Sequence, residues 1–145
     1  MGQVNRTAIV PFTPDQMYAL VNDVESYPGF LPWCSAAEVA GIDENHLVAT
    51  LTLSLGKLRQ SVTTRNTLQP GRRIDMELVR GPLRKLCGAW RFDDFAGKQC
   101  RVSLNLDFEF NNRVLKLALD KAFGRLTYAS VDAFRNRAEQ LYGGG

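Results

Sequence analysis

Residues 99–110, QCRVSLNLDFEF, alternate polar and apolar side chains with a period of two, and the pattern changes at the next residue. A period of two is typical of a β-strand that has one face in the core and the other in water. From Asn111 or Asn112, either of which can cap a helix, the chain continues to about Tyr142 without a proline. This segment predicts a helix of about thirty residues, which at about 1.5 Å each gives a length of about 45 Å.

The predicted C-terminal helix carries its apolar residues on one stripe, and most of them are small. Spacings of three and four place these residues on a single face, and they are Leu115, Ala118, Leu119, Ala122, Leu126, Ala129 and Ala133. An alanine-rich face lets a sheet approach closely or leaves space for another molecule. Gly124 lies within the helix at a cost of about 1 kcal/mol relative to alanine, which indicates close packing or a slight bend.

The residues before this helix predict a short helix and a series of strands. Residues 3–10 predict a first strand, Thr13 and Pro14 begin the short helix, and SYPGFLPWC at residues 26–34 interrupts it. Alternating runs then predict strands at LVATLTLSL (47–55), LRQSVTTRNTL (58–68), RRIDMELV (72–79), RKLCGAWRF (84–92) and QCRVSLNLDFEF (99–110). A sheet with one apolar face needs a cover. We therefore predict a single α+β domain over residues 1–145, in which a curved antiparallel sheet of about six strands wraps around the long helix.

Basic residues are concentrated in the middle of the chain. Its 145 residues have a formal net charge of +3, but residues 57–91 hold nine basic residues against Asp75 and Glu77. Four of the basic residues are predicted on the outer face of the sheet, and they are Arg59, Arg65, Arg73 and Arg91. Such a face can contact the phosphates of RNA or anionic lipid head groups. An ordinary solvated sheet face is the alternative.

The sequence contains no motif typical of a catalytic or metal site. It has no nucleophile elbow, P-loop or dinucleotide-binding glycine motif, and its one histidine, His46, lies in a turn between two strand-like runs. The three cysteines have no C-x-x-C spacing, which favours reduced core thiols over a disulfide framework or zinc ligands. We therefore predict no enzymatic activity, no metal and no cofactor. Since neither a signal peptide nor a spanning segment is present, we expect a cytoplasmic protein.

The predicted strand at residues 58–68 mixes polar side chains with the apolar ones that face the helix. If its apolar residues turn inward, Gln60, Thr64 and Asn66 turn inward too. Burying an unpaired amide costs about 1–3 kcal/mol, so such groups are better tolerated in a cavity that holds water or a ligand. An apolar cavity with a few polar groups suits a hydrophobic molecule with a polar head. The alternative is a bulge that shifts the register and turns these residues outward.

Five segments of the chain, taken together, resemble one protein family. They are NRTAIVPFTPDQMYALVNDV, SYPGFLPWC, TTRN, GPLRKLCGAWRF and LDFEF, in this order. In combination they resemble the START-like proteins of the coenzyme Q-binding family over about residues 3–142. The resemblance implies the helix-grip fold and a non-enzymatic role as a carrier or chaperone of ubiquinone that supports respiration. Alternatively, as in the toxin branch of the bacterial members, it implies binding to the large ribosomal subunit that blocks subunit association.

With this resemblance, the inward faces become a predicted site for ubiquinone or a related lipid. Gln60, Thr64 and Asn66 are the predicted contacts to its head. The apolar contacts are predicted at Met76, Trp90, Leu104, Leu106, Phe108, Leu119 and Leu126. In a helix grip the SYPGFLPWC segment lies at the cavity mouth, so Phe30, Leu31 and Trp33 are predicted to form a rim suited to transient contact with a membrane. Trp33 filling the core is the alternative. We expect a monomer, in the cytoplasm or peripheral to the inner membrane.

Overall fold

The computed structural model describes residues 2–41 and 43–143. The chain begins with a strand and a helix, continues through six further strands and ends in the long helix. In chain order the elements are β1 (Gly2–Val10), α1 (Pro14–Asn22), a 3₁₀ helix (Val24–Gly29), β2 (Cys34–Ala40), β3 (His46–Leu55), β4 (Leu58–Gln69), β5 (Arg73–Arg80), β6 (Leu83–Phe95), β7 (Gln99–Phe110) and α2 (Arg113–Tyr142). The predicted α+β class, with a long helix after the last strand, is confirmed.

The strands form one antiparallel sheet in the order β1-β7-β6-β5-β4-β3-β2. The structure therefore has seven strands where the sequence predicted about six, and the additional strand is β2. Three of its seven residues are alanines, and Val39 alone favours a strand. The strand conformation of β2 instead comes from its pairing with β3, in which Val39 lies opposite Ala49 and Ala37 lies opposite Leu51.

Both helices begin at the residues that the sequence predicts. The Thr13 side chain accepts the backbone N–H of Gln16, and the Gln16 side chain accepts the backbone N–H of Thr13, which is a capping box. At the start of α2, Oδ1 of Asn112 accepts the backbone N–H of Val114 at 2.8 Å. These caps satisfy backbone donors that have no partner within the helix.

The buried face of α2 lies about a quarter of a turn away from the predicted alanine stripe. Its buried residues are Leu119, Phe123, Ser130, Val131, Phe134 and Ala138. Ala118 and Ala129, which the stripe predicted to face inward, are exposed. The reason is side-chain size. Phe123 and Phe134 have far more apolar area to bury than the alanines, so they determine the rotation of the helix against the sheet.

An arginine on β1 joins this strand to α2. Nη1 and Nη2 of Arg6 donate to the two carboxylate oxygens of Asp132 at 2.9 and 2.6 Å, and Nη1 also donates to the Tyr128 carbonyl at 2.8 Å. The guanidinium lies 4.4 Å from the centre of the Tyr128 ring. The hydrogen bond from Arg6 holds the pKa of Asp132 below its ordinary value. These contacts connect the first strand to the last helix.

Candidate ligand cavity

An apolar cavity of about 110 Å³ lies between the sheet and α2. Strands β3 to β7 form one wall, the middle of α2 forms the opposite wall, and the 3₁₀ helix with the residues around it contributes the rest. The lining residues are Val24, Tyr27, Leu31, Trp33, Ala49, Leu51, Leu53, Val62, Thr64, Asn66, Met76, Leu86, Trp90, Leu104, Leu106, Phe123, Thr127, Ser130 and Phe134. The cavity therefore lies between the sheet and α2, where the sequence predicts a ligand, and the ligand itself stays a prediction.

Two polar residues of β4 lie in this apolar lining. Thr64 is opposite Ala49 on β3, and Asn66 is opposite Met76 on β5. The Thr64 hydroxyl donates to Oδ1 of Asn66 at 2.8 Å. A bulge does occur between Thr63 and Thr64 in the pairing with β5, but the pairing with β3 is continuous. Thr64 and Asn66 therefore keep facing the cavity.

Two hydroxyl groups of α2 line the opposite wall, and the sequence pattern did not indicate them. Thr127 donates to the carbonyls of Phe123 and Gly124 at 2.9 and 3.1 Å, and Ser130 donates to the Leu126 carbonyl at 2.8 Å. Their oxygens can still accept a hydrogen bond. Their spacing of three, in phase with Phe123, was the available signal.

An aromatic cluster closes one side of the cavity around Phe134. Its ring centre lies 5.3 Å from that of Tyr27, 5.3 Å from that of Phe30 and 5.2 Å from that of Trp90, each in an edge-to-face arrangement. The buried Tyr27 hydroxyl donates to the Val21 carbonyl, and burial raises the pKa of Tyr27. The cluster joins the 3₁₀ helix to α2 and β6.

The predicted rim residues differ in their positions. Leu31 is 1% exposed and lines the cavity, and Trp33 is half-buried and lines it too. Phe30 is half-buried outside the lining, with its ring against Phe134 and 5.3 Å below the Arg137 guanidinium. Two of the three predicted rim residues, Leu31 and Trp33, therefore line the cavity.

Four predicted ligand contacts also lie outside the lining. Phe108 and Leu119 are buried in the core, where the Phe108 ring centre lies 4.6 Å from that of Phe123. Leu126 is half-buried on α2. Gln60 is half-buried opposite Leu53, near the start of β4. The predicted residues that do line the cavity are Thr64, Asn66, Met76, Trp90, Leu104 and Leu106.

The four predicted outer-face arginines are interspersed with acidic residues. Arg73 lies directly opposite Arg91 on β6, but its Nη2 forms an ion pair with Asp75 at 2.8 Å. Arg65 lies opposite Glu77. The fourth arginine, Arg59, is exposed near the β3–β4 turn. The two acidic residues of the basic segment therefore lie beside Arg73 and Arg65, whereas Arg59 and Arg91 are exposed.

The architecture and the cavity define a class: a curved antiparallel sheet around a long C-terminal helix is the helix-grip fold of START-like proteins. The aromatase/cyclase Zhui of Streptomyces sp. R1128 has this fold, with a TM-score of 0.88 at 20% identity over 99% of this chain and 98% of its own. The chain belongs to the family described as polyketide cyclase / dehydrase and lipid transport, which matches residues 10–135.

Two curated relatives are similar to this chain over most of its length. The ribosome association toxin RatA of Vibrio cholerae is 45% identical over 143 residues, which cover 99% of each chain. The mitochondrial coenzyme Q-binding protein COQ10 of Dictyostelium discoideum is 23% identical over 141 residues, which cover 94% of this chain and 69% of the relative. The resemblance inferred from the sequence segments is thus confirmed. Among residues 2–41 and 43–143, no helix combines the length and the apolar character that crossing a bilayer requires.

Proposed function

We propose that the chain binds a hydrophobic molecule with a carbonyl-bearing head in the cavity, and that it carries this molecule without transforming it. The observation that carries the proposal is the hydrogen-bonded pair of Thr64 and Asn66 within an apolar lining. Ubiquinone or a related isoprenoid quinone has the required chemistry, with a polar ring and an apolar tail. The protein would act as a monomer in the cytoplasm and meet the membrane that supplies the ligand.

The Thr64–Asn66 pair supplies donors for the ligand head. Because Oδ1 of Asn66 already accepts the Thr64 hydroxyl, the amide nitrogen of Asn66 is the group available to donate to a ligand carbonyl. On the opposite wall, Thr127 and Ser130 offer acceptor oxygens. A head group with acceptors on one side and a hydroxyl group that donates on the other fits between these walls.

The size of the cavity indicates that binding requires it to open. About 110 Å³ is below the range of about 300–1,000 Å³ that is usual for small-molecule sites. Leu31 and Trp33 follow the 3₁₀ helix, whose Tyr27 is held to α2 by aromatic contacts with Phe134. Displacing this segment from α2 would enlarge the cavity and admit an isoprenoid tail.

The lining supports binding more than catalysis. It consists of apolar, aromatic, hydroxyl and amide side chains, whereas acid–base catalysis usually employs a carboxylate, imidazole or amine in the pocket. Tyr27, which has a titratable hydroxyl, donates it to the Val21 carbonyl. We therefore propose a carrier, although the same fold occurs in an aromatase/cyclase.

A binding assay with a short-chain ubiquinone analogue tests this function. Binding is measured by the quenching of the fluorescence of Trp33 and Trp90. Asn66→Leu is expected to weaken binding by about tenfold, the equivalent of one lost hydrogen bond. The thermal stability should stay nearly level, because removal of an incompletely paired buried amide is offset by the loss of the acceptor of the Thr64 hydroxyl. The matched control is Thr67→Val, on the exposed face of the same strand, which should bind as the wild type does. Equal affinity of the Asn66→Leu protein and the wild type would contradict the head-group assignment.

Ribosome association is a second candidate, and the 45% identity to a protein named ribosome association toxin favours it. The exposed arginines at positions 59, 65 and 91 would contact phosphates of the large subunit. Since phosphate contacts release counterions, comigration with large subunits in a sucrose gradient should weaken steeply with salt. Arg65→Glu with Arg91→Glu should abolish it, and Lys98→Glu, an exposed turn residue, should not. Salt-independent comigration would count against this surface.

A further inference from the structure

We propose that the first turns of α2, together with the neighbouring ends of β4, β5 and β6, dock onto an anionic lipid bilayer. This docking surface is defined by four exposed apolar side chains, Leu58, Val79, Val114 and Leu117, and by the basic residues around them. The inference rests on the proposed carrier function for its purpose, since a carrier must meet the membrane that holds its ligand. It assigns that contact to a surface distinct from the predicted rim.

The apolar side chains of the docking surface are exposed and do not pack in the core. Leu117 is 83% exposed and Val114 is 72% exposed, while α2 buries its opposite side through Leu119 and Phe123. Val79 and Leu58 are 50% and 38% exposed. Exposed aliphatic residues are common singly, but a group of them at one place indicates an interaction site.

The topology brings these four residues to one end of the molecule. Neighbouring strands run in opposite directions. The β3–β4 turn, the β5–β6 turn and the connection from β7 to α2 therefore lie at the same edge of the sheet. The Asn111 N–H donates to the Pro82 carbonyl at 3.1 Å, which holds the start of α2 beside the β5–β6 turn. In that turn, Gly81 lies against Ser61 and Val62 of β4. These contacts place the three connections at the same end of the molecule.

The charged residues of the docking surface are mainly basic. On α2, residues 113–125 hold Asp120 and four basic residues, which are Arg113, Lys116, Lys121 and Arg125. The strand ends add the exposed residues Lys57, Arg59, Arg80 and Arg84. The first turn of α2 has no acidic residue, although the positive end of the helix dipole favours one there. Cations placed against the dipole, beside exposed aliphatic residues, indicate a function other than folding.

This combination matches an anionic bilayer better than the other possible partners. Aliphatic side chains on a helix can enter the boundary between head groups and acyl chains while neighbouring lysines and arginines meet lipid phosphates. RNA would use the cations, but it is usually recognised with aromatic stacking, which Val114 and Leu117 do not supply. A second copy of the chain would bring the same positive charges together, which opposes self-association.

Sedimentation with lipid vesicles tests the docking surface on the full chain without any quinone. The wild type should bind vesicles of phosphatidylcholine and phosphatidylglycerol in equal parts at low ionic strength, and should bind pure phosphatidylcholine much less. Val114→Ser with Leu117→Ser should reduce the partition coefficient by about tenfold or more, since two aliphatic side chains no longer leave water. The matched control is Ile9→Ser, an exposed residue near the opposite end of the sheet, with 47% exposure. In a separate variant, Leu117→Trp, the emission should shift to the blue with anionic vesicles.

Three outcomes would overturn the proposal. The first is equal vesicle binding by the double serine variant and the wild type, with both folded by circular dichroism. The second is preferential binding of ribosomal RNA over anionic vesicles that the double serine variant also weakens, which would reassign the surface to nucleic acid. The third is a wild-type dimer in analytical ultracentrifugation that the serine variant abolishes. If the wild type binds quinone but not vesicles, only the docking surface is refuted. If it binds vesicles but not quinone, only the carrier function is refuted.

Discussion

Replacing Gly124 by alanine should stabilise the protein, although this residue of α2 packs against the core. A Cβ at Gly124 would lie 3.5 Å from Cζ and 4.0 Å from Cε1 of Phe108, which are ordinary contact distances. Inside a helix alanine is favoured over glycine by about 1 kcal/mol. We expect the free energy of unfolding to rise by about 0.5–1 kcal/mol and the melting temperature to rise by about 2–4 °C.

The same substitution at Gly88 should have the opposite effect. A Cβ at Gly88 would lie 2.1 Å from the Asn105 carbonyl oxygen and 2.8 Å from the Cα of Leu106. Both atoms belong to the backbone of β7, so relief requires the two paired strands to separate. We expect Gly88→Ala to lower the free energy of unfolding by about 3 kcal/mol or more.

Urea unfolding followed by circular dichroism and by tryptophan fluorescence measures both variants. Coincident transitions by the two probes establish two-state behaviour, and equal slopes allow the free energies to be compared directly. A Gly124→Ala protein less stable than the wild type would show that the contact with Phe108 cannot accommodate a methyl group. A Gly88→Ala protein of unchanged stability would refute the close approach of β6 and β7.

Two further predictions concern titrating groups. Because Arg6 lowers the pKa of Asp132, Asp132→Asn should cost about 1 kcal/mol or less at neutral pH, since the carboxylate is 41% exposed. This difference in unfolding free energy should fade as the pH falls below about 4 and vanish when the wild-type carboxyl is protonated; a difference that persists at about pH 2 would contradict the ion pair. Burial raises the pKa of Cys34, and that of Cys100 to about 12, so a thiol reagent at mildly alkaline pH should modify only the half-buried Cys87 in the folded chain and all three cysteines in urea. Rapid modification of all three without denaturant would show that the core opens.

The local patterns of the sequence predicted most of the fold, and the exceptions have physical causes. Alternation of side chains identified six strands, and hydroxyl and amide caps placed the starts of α1 and α2. Strand β2 was not predicted because its residues have little strand propensity and its conformation comes from pairing with β3. The face of α2 was predicted about a quarter turn away, because spacing alone does not weigh phenylalanine above alanine.

The candidate site was predictable to the extent that strand parity, the alternation of side chains between the two faces of the sheet, determines which residues point toward α2. Parity correctly turned Thr64 and Asn66 toward α2, and a bulge on one side of β4 does not reverse them. Parity also turned Gln60 inward, but this residue lies outside the cavity lining. Thr127 and Ser130 were not predicted, because the inward face of α2 was predicted about a quarter of a turn away and their phase with Phe123 was not used.

The sequence by itself determined the class of fold, because periods of two and of three to four residues follow from local backbone geometry. It also placed a polar pair within an apolar strand face and half of the eighteen basic residues in one segment. The tertiary structure alone decided which side chains line the cavity, how small that cavity is, and which arginines are paired with carboxylates. It also decided that Val114 and Leu117 remain exposed beside lysines and arginines from three connections. These properties depend on how α2 is rotated and where each strand ends relative to it, and such contacts join residues far apart in the chain.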